Sequence, residues 1–235
     1  MRHEEKFLCS KRQLYLIENR IKNFLDLDAN QLCDDYSIRS IYFDTETDRL
    51  YEESLQGLQI RDKYRIRIYN QSDNVIKLEK KSTINQLKKK STSFLTREIV
   101  DRILKNKEWH HLYTLSDDTV SDFWQLQRTE MLLPKIVVEY DRKAYVNDVG
   151  NVRITMDSNL KASWEVESFF SPDLLKIPIL PKDKGILEVK YDGIFPGYLV
   201  KIMNLGVLQQ ISFSKYVLCR NVILNNGRGE EGYEF

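Results

Sequence analysis

Arg61-Asp62-Lys63-Tyr64-Arg65-Ile66-Arg67-Ile68-Tyr69 is the stretch whose reading decides the fold. Taken with period two, one face carries Arg61, Lys63, Arg65 and Arg67. The other carries Tyr64, Ile66 and Ile68, after Asp62. Side chains on a strand alternate between faces, so this is a β-strand with one apolar face and a row of four cations. A half-buried strand ordinarily turns its polar face to water. Like charges on one strand repel and require either solvent or an anion. Arginine is the side chain that meets phosphate oxygens in a planar, bidentate way. On one strand such a row reads as a solvated face; its repetition on other strands changes that reading.

The repetition begins at the N-terminus, where Arg2, Glu4 and Lys6 alternate with His3, Glu5 and Phe7 in a short first strand. Ser10 followed by Gln13 is a capping box. Leu14, Ile17, Ile21, Phe24 and Leu25 then fall at helical spacing and predict a helix over 11–26. Residues 36–45, rich in β-branched and aromatic side chains, predict a strand. Gly57 opens the cationic strand, which runs to Tyr69. A turn is expected at Gln71-Ser72-Asp73-Asn74, and 75–81 follows as its hairpin partner, with Lys77, Glu79 and Lys81 on one face. Lys88-Lys89-Lys90 is placed in a polar loop, read either as solvated or as a basic guard at a channel mouth.

Helices are predicted over 96–105 and 118–131, and Pro134 then breaks helix. A long strand over 136–146 contains Glu139, Tyr140 and Arg142. After a turn at 147–151, the next strand sets Arg153, Thr155 and Asp157 opposite Val152, Ile154 and Met156. In 185–191, Glu188 and Lys190 face away from Leu187, Val189 and Tyr191. The segment 196–208 reads as helical and loop-like, and Ser212 to Tyr216 opens a last helix to about Asn221. Neither an internal repeat nor a linker divides the chain, so one domain is expected over 1–225, with a polar, flexible tail at 226–235. Strands clustered among helices indicate α+β: an antiparallel sheet or barrel with packed helices.

Composition bounds the function. Of 235 residues, 42% are hydrophobic and 11% aromatic, enough for a core and too much for a disordered chain. The net charge of +1 argues against a general nucleic-acid coat, while leaving room for a local cationic channel. Cys9, Cys33 and Cys219 are odd in number and far apart, so neither a disulfide framework nor a CxxC metal site is indicated. A reducing, cytoplasmic setting fits. The N-terminus is charged rather than apolar, and no apolar run approaches the length of a membrane span. There is no Walker A sequence and no Ser-His-Asp or Cys-His set.

If the apolar faces pack against helices, the charged faces must line an interior. Such an inversion is costly unless the charges are paired or hold a ligand. A polyphosphate chain or nucleoside triphosphate with Mg²⁺ or Mn²⁺ suits many Arg and Lys and a few Glu. In this pattern Arg153 has a structural alternative, pairing with Asp157. Glu188 could neutralise Lys190, and Glu79 could orient Lys81 and Arg67.

These residues resemble the VTC (vacuolar transporter chaperone) polyphosphate polymerase domain of the triphosphate tunnel metalloenzyme, or CYTH-like, superfamily. Arg2-x-Glu4-x-Lys6-Phe7 resembles the superfamily's ExExK strand, with Arg2 in place of the first Glu. Ser40-Ile41-Tyr42-Phe43-Asp44-Thr45, Lys63-x-Arg65-x-Arg67, Glu79-x-Lys81 and Tyr140-x-Arg142 with Ala144 follow in order. Val152 to Asp157, Leu187-Glu188-Val189-Lys190 and Phe213-Ser214-Lys215-Tyr216 complete the series. Each motif is short; their order and spacing are specific. The resemblance implies a closed antiparallel β-barrel forming a tunnel with flanking helices. It implies transfer of the γ-phosphoryl of ATP onto growing inorganic polyphosphate, with Mn²⁺ or Mg²⁺. By motif position, Lys6, Arg65, Arg67, Lys81, Arg142 and Lys215 are the expected catalytic cations. Lys63, Arg153, Lys190 and Ser214 are expected to bind substrate beside them. Glu188 is the expected metal ligand, and Glu4 the second. Loss of the first carboxylate leans toward the polymerase branch. The chain resembles a free-standing bacterial catalytic domain, at the inner face of the membrane if a membrane-protein partner exports the product. A tripolyphosphatase or nucleoside triphosphatase of the same fold and a non-catalytic polyphosphate sensor are the alternatives.

Overall fold

A computed structural model describes residues 2–29, 31, 35–85, 87–113, 117–204, 207–212 and 214–228, the last three by backbone only. In chain order the elements are β1 (Arg2–Ser10), α1 (Lys11–Ile21), β2 (Asp26–Leu27), β3 (Tyr36–Asp44), α2 (Arg49–Leu55), β4 (Ile60–Tyr69), β5 (Ser72–Ile84), β6 (Leu87–Leu95), α3 (Arg97–Leu104), α4 (Asp118–Thr129), β7 (Leu133–Asn147), β8 (Val152–Ser163), β9 (Ile177–Pro178), β10 (Lys184–Asp192), α5 (Gly197–Met203), β11 (Gln209–Gln210) and α6 (Lys215–Arg228). The class is α+β with antiparallel pairing, as the sequence indicates. No helix among the described residues is long and apolar enough to cross a membrane.

The chain divides into two compact units. The first contains residues 1–37, 140–161 and 178–213; the second contains 38–139, 162–177 and 214–235.

In the first unit the strand order is β11-β1-β10-β8, followed by the second half of β7. The register sets Lys6 opposite Glu188 and Glu4 opposite Lys190. It continues with Glu188 opposite Thr155 and Lys190 opposite Arg153. The alternating partners Phe7, Ile154, Met156, Leu187 and Val189 form the core with Leu14, Ile17 and Ile21 of α1. Ser10 and Gln13 form the reciprocal capping box that starts α1. Helix α1 stops at Ile21 rather than 26, because the Phe24 and Leu25 amides both turn back to the Ile21 carbonyl. Asp26–Leu27 then joins β7 as a short strand. A Cβ on Gly185 would lie 2.7 Å from Leu14 Cδ1 and 2.8 Å from the Asp157 carbonyl. Helix and sheet therefore approach as closely as they do only because residue 185 has no side chain. Helix α5 is shorter than the predicted 196–208 and ends at Asn204 in the left-handed region.

In the second unit the first half of β7 is followed by β3-β4-β5-β6. Ile41, Phe43, Tyr64, Ile66, Leu78, Val100 and Phe123 share a core under α2, α3 and α4. The Phe123 ring meets Phe43 edge-on at 4.9 Å. The β4–β5 turn is Asn70-Gln71, both at positive φ (50° and 56°), one step earlier than expected. Such a two-residue turn matches the twist of the strands it joins. Lys88-Lys89-Lys90 does not form a loop: the three lysines belong to β6, paired with Thr83, Ser82 and Lys81. The backbone ladder decides that segment, whose sequence lacks the alternation that marks β4. Helix α2 has no sequence signal of its own and is held by Asp44, which accepts the Leu50 and Tyr51 amides at 2.8 and 2.7 Å. Helix α4 ends at Thr129, just short of the predicted 131, and Pro134 lies within β7. Helix α6 runs past Asn221 to Arg228 and takes in the start of the expected tail. Residues 229–235, Cys33 and Phe213 lie outside the described residues. Cys9 and Cys219 are buried free thiols.

One ion cluster in this unit is structural. Arg39 is fully buried; its Nε donates to Glu139 Oε2 at 2.5 Å, and its Nη1 donates to the carbonyls of Phe169 and Ser171 at 2.8 and 2.7 Å. Lys176 approaches the other Glu139 oxygen at 2.6 Å. Burial would raise the Glu139 carboxyl, but Lys176 and Arg39 outweigh it and hold it low. Truncating one partner of a buried ion pair strands the other charge. Arg39→Ala is therefore expected to lower stability by about 3–5 kcal/mol, measured by urea unfolding; a loss under about 1 kcal/mol would show the cluster to be dispensable.

Candidate anion-binding site

In the second unit the strand register builds one cationic face from three strands. Arg61, Lys63, Arg65 and Arg67 of β4 stand opposite Thr83, Lys81, Glu79 and Lys77 of β5. Lys88, Lys90 and Thr92 of β6 stand opposite Thr83, Lys81 and Glu79. In these rows Glu79 is the carboxylate. It is 2% exposed, and its Oε2 accepts from Arg65 Nε at 2.6 Å and lies 3.7 Å from Arg67 Nη1. Its Oε1 accepts from Lys90 Nζ at 2.5 Å. Of the two cations expected beside Glu79, Arg67 and Lys81, the carboxylate reaches Arg67, and it also holds Arg65 and Lys90.

Neighbouring groups fix the two arginines further. Arg67 Nε donates to Ser40 Oγ at 3.0 Å, and Arg65 Nη1 donates to the Tyr42 hydroxyl at 3.1 Å. Lys63 Nζ donates to Ser214 Oγ at 3.0 Å, which brings the end of the sequence to the cationic strand. Lys215 follows as the first residue of α6, and both it and Lys81 are half-buried. Tyr216 stacks on Tyr42 at 5.1 Å, and its hydroxyl donates to Asp44 Oδ2 at 2.5 Å. Burial and the Asp44 carboxylate push the Tyr216 phenol far above its usual range, so it remains a neutral donor. Sequence reasoning missed this Asp44–Tyr216–Tyr42 frame. Its residues lie within quoted motifs, but nothing in their spacing joins residue 44 to residue 216.

In the first unit Lys6, Arg142, Arg153 and Lys190 each lie beside a carboxylate. Lys6 Nζ lies 3.2 Å from Glu4 and 3.8 Å from Glu188. Lys190 Nζ donates to the other Glu188 oxygen at 2.5 Å, so Glu188 does neutralise Lys190. Arg142 makes a bidentate pair with Asp157, at 2.6 and 2.7 Å. Burial opposes its charge, but Asp157 outweighs burial and keeps the guanidinium ionised. The Arg153–Asp157 pair weighed from sequence is not the arrangement reached: Asp157 takes Arg142, and Arg153 contacts Asp28 at 3.0 Å. Thr155, beside Glu188 in the ladder, is buried with its Oγ1 unpaired.

The described residues contain no group of three or more His, Cys, Asp or Glu side chains able to hold a metal. They do contain two carboxylates, Glu4 and Glu188, close enough for one ammonium to approach both. That donor set fits Mg²⁺ or Mn²⁺ held by one or two carboxylates and completed by phosphate oxygens. It does not fit a cage built from protein alone.

The VTC domain family model matches residues 1–224. No curated protein matches. Solved structures similar to the chain include the PH1012 protein from Pyrococcus horikoshii OT3, at 12% identity and TM-score 0.42, covering 86% of this chain and 85% of that one. A conserved hypothetical protein, Pfu-838710-001, from Pyrococcus furiosus is similar at 10% identity and TM-score 0.42, covering 86% of each chain.

Burial would raise the Glu79 carboxyl, but Arg65, Arg67 and Lys90 together hold it far below the usual carboxylate range. A carboxyl depressed in the folded state stabilises the fold above its unfolded pKa, about 4.3, and loses that contribution as pH falls toward the folded value. Glu79→Gln is expected to destabilise the protein at pH 7, with the gap to wild type narrowing as pH is lowered through 4 to 3. Urea titrations across that range measure it; a gap constant with pH would mean that the charge of Glu79 contributes nothing.

Proposed function

The chain belongs to the VTC domain family, and from that premise we propose that it is a metal-dependent polyphosphate polymerase. In this reading it moves the γ-phosphoryl of ATP onto the end of an inorganic polyphosphate chain and releases ADP. Family membership supports a polyphosphate-related function. The observation that carries the finer reading is the face of β4, β5 and β6, where eight rowed Lys and Arg side chains surround one carboxylate. Such a face holds an extended polyanion by charge, along a line of cations rather than at a point. We include in the proposal that the barrel closes into a tunnel around this site.

Phosphoryl transfer asks the protein chiefly for position and charge neutralisation. Arg65 and Arg67, fixed by Glu79, Tyr42 and Ser40, present guanidinium groups whose direction is set before substrate arrives. Lys63, Lys81, Ser214 and Lys215 are the further phosphate ligands of this unit. In the other unit Lys6, Arg142, Arg153 and Lys190 are the proposed phosphate ligands. Their carboxylate partners hold their positions and must share them when an anion binds. Glu188 and Glu4 would hold Mn²⁺ or Mg²⁺, whose contribution is to screen repulsion between donor and acceptor phosphates. The acceptor is a terminal phosphate, already anionic at neutral pH, so the reaction calls for no strong general base. Hydrolysis by the same site, with water as acceptor, and polyphosphate sensing without turnover are the competing readings. A cytoplasmic setting belongs to the proposal, as does a membrane-protein partner that exports the product.

Purified protein incubated with ATP and Mn²⁺ or Mg²⁺ is expected to yield ADP and long-chain polyphosphate with little free phosphate. ADP with equal free phosphate would identify a hydrolase, and polyphosphate binding without turnover a sensor. Arg65→Ala with Arg67→Ala is expected to cut turnover by more than about 1,000-fold while circular dichroism stays unchanged; a folded double variant polymerising at the wild-type rate would overturn the site. Glu188→Gln is expected to raise the metal concentration needed for half-maximal turnover. An unchanged metal titration would make Glu188 purely a partner of Lys6 and Lys190.

A further inference from the structure

The β4–β5–β6 ladder ends in a row that the core does not reach. Ile60 pairs with Ile84, and Ile84 with Leu87. They are 69%, 53% and 74% exposed, respectively. By alternation they lie on the same face as Ile66 and Leu78, which are fully covered, so the row continues the apolar face beyond its helical cover. Exposed aliphatic residues scattered singly need no explanation, but a contiguous set marks a contact surface. Here strand register lays the three side by side.

The next two rows of the ladder are Arg61–Thr83–Lys88 and Asp62–Ser82–Lys89. Lys88 and Lys89 are exposed, and Asp62 lies 3.5 Å from Lys80 Nζ. Arg61, Lys88 and Lys89 thus stand immediately behind the aliphatic row. A lysine stem lets the ammonium reach sideways while its neighbour stays in an apolar medium. Aliphatic side chains in front of a cationic collar complement a surface that is apolar within and anionic at its boundary.

We infer that this strand-end tip docks on an anionic lipid bilayer. Ile60, Ile84 and Leu87 enter the boundary between headgroups and acyl chains, and Arg61, Lys88 and Lys89 meet the lipid phosphates. Charge selects this occupant over a second copy of the chain, because a two-fold contact through the tip would oppose the same cations to themselves. The inference is independent of the proposed activity.

The test is flotation of the whole chain with vesicles of phosphatidylcholine alone or with a one-third share of phosphatidylglycerol. Wild type is expected to float only with the anionic vesicles and to be released by salt. Ile84→Ser with Leu87→Ser is expected to weaken binding about tenfold or more, and Lys88→Glu with Lys89→Glu by more than that, because each neutralised lysine alone is worth roughly fivefold. The row lies outside the core, so thermal unfolding of these variants should match wild type; Leu87→Ser alone, at the most exposed of the three positions, replaces the pair if it does not. Failure to bind anionic vesicles, or binding indifferent to both variants, would overturn the inference. So would a tip-dependent dimer in sedimentation without vesicle binding, or an acidic protein partner that binds the tip where vesicles do not.

Discussion

Like charge gathered on one side of a sheet is the constraint on which this structure rests. Lys63 and Lys81 stand directly opposite each other, with Lys90 next in the same row. Two unit charges some 4–5 Å apart repel by roughly 3–4 kcal/mol at an effective dielectric near 20, so such rows persist only with compensation. Glu79 supplies it from within, buried where three cations converge. The apolar side of the same strands supplies it from behind, since burying Ile66, Ile68 and Leu78 contributes about 1.5–3 kcal/mol each. Core packing thus holds together a face that electrostatics alone would splay.

The two units handle charge differently. In the first, Lys6, Lys190, Arg142 and Arg153 are each within contact distance of a carboxylate from Glu4, Glu188, Asp157 or Asp28. On the β4–β5–β6 face of the second, one carboxylate, Glu79, serves Arg65, Arg67 and Lys90. The field of a row of like charges on one side of a sheet extends beyond any single pair. In the first unit each of those cations already has a carboxylate in place. The two candidate metal ligands, Glu4 and Glu188, both lie in this balanced unit.

What the sequence disclosed follows its periodicities. Arg61 to Tyr69, Val152 to Asp157 and Leu187 to Lys190 alternate strictly, so both their strands and their faces were legible, and with them most candidate ligands. Leu14, Ile17 and Ile21 with the Ser10–Gln13 box marked α1 for the same reason. Lys88 to Lys90 has no alternation, and only pairing with β5 makes it a strand. Helix α2 was silent because its first turn is held by Asp44 and Thr45, at the end of β3 and just after it, rather than by the side chain at its N-cap, Asp48. The exchange of partners between Arg142 and Arg153 could not be read, since Asp28 and Asp157 are equally plausible in one dimension. Pair identity is a property of three-dimensional reach.

The hydrogen bond from Lys63 to Ser214 spans 151 positions of sequence. During synthesis the chain emerges N-terminus first, so β4 is made long before Ser214, Lys215 and Tyr216 exist. Through that interval the cationic face has Glu79 but lacks the hydroxyl, ammonium and aromatic lid that the last segment brings. A nascent chain therefore carries the cationic face before it carries the groups that frame it. Completion of the face coincides with the arrival of α6, so the ribosome sets the moment at which its frame closes.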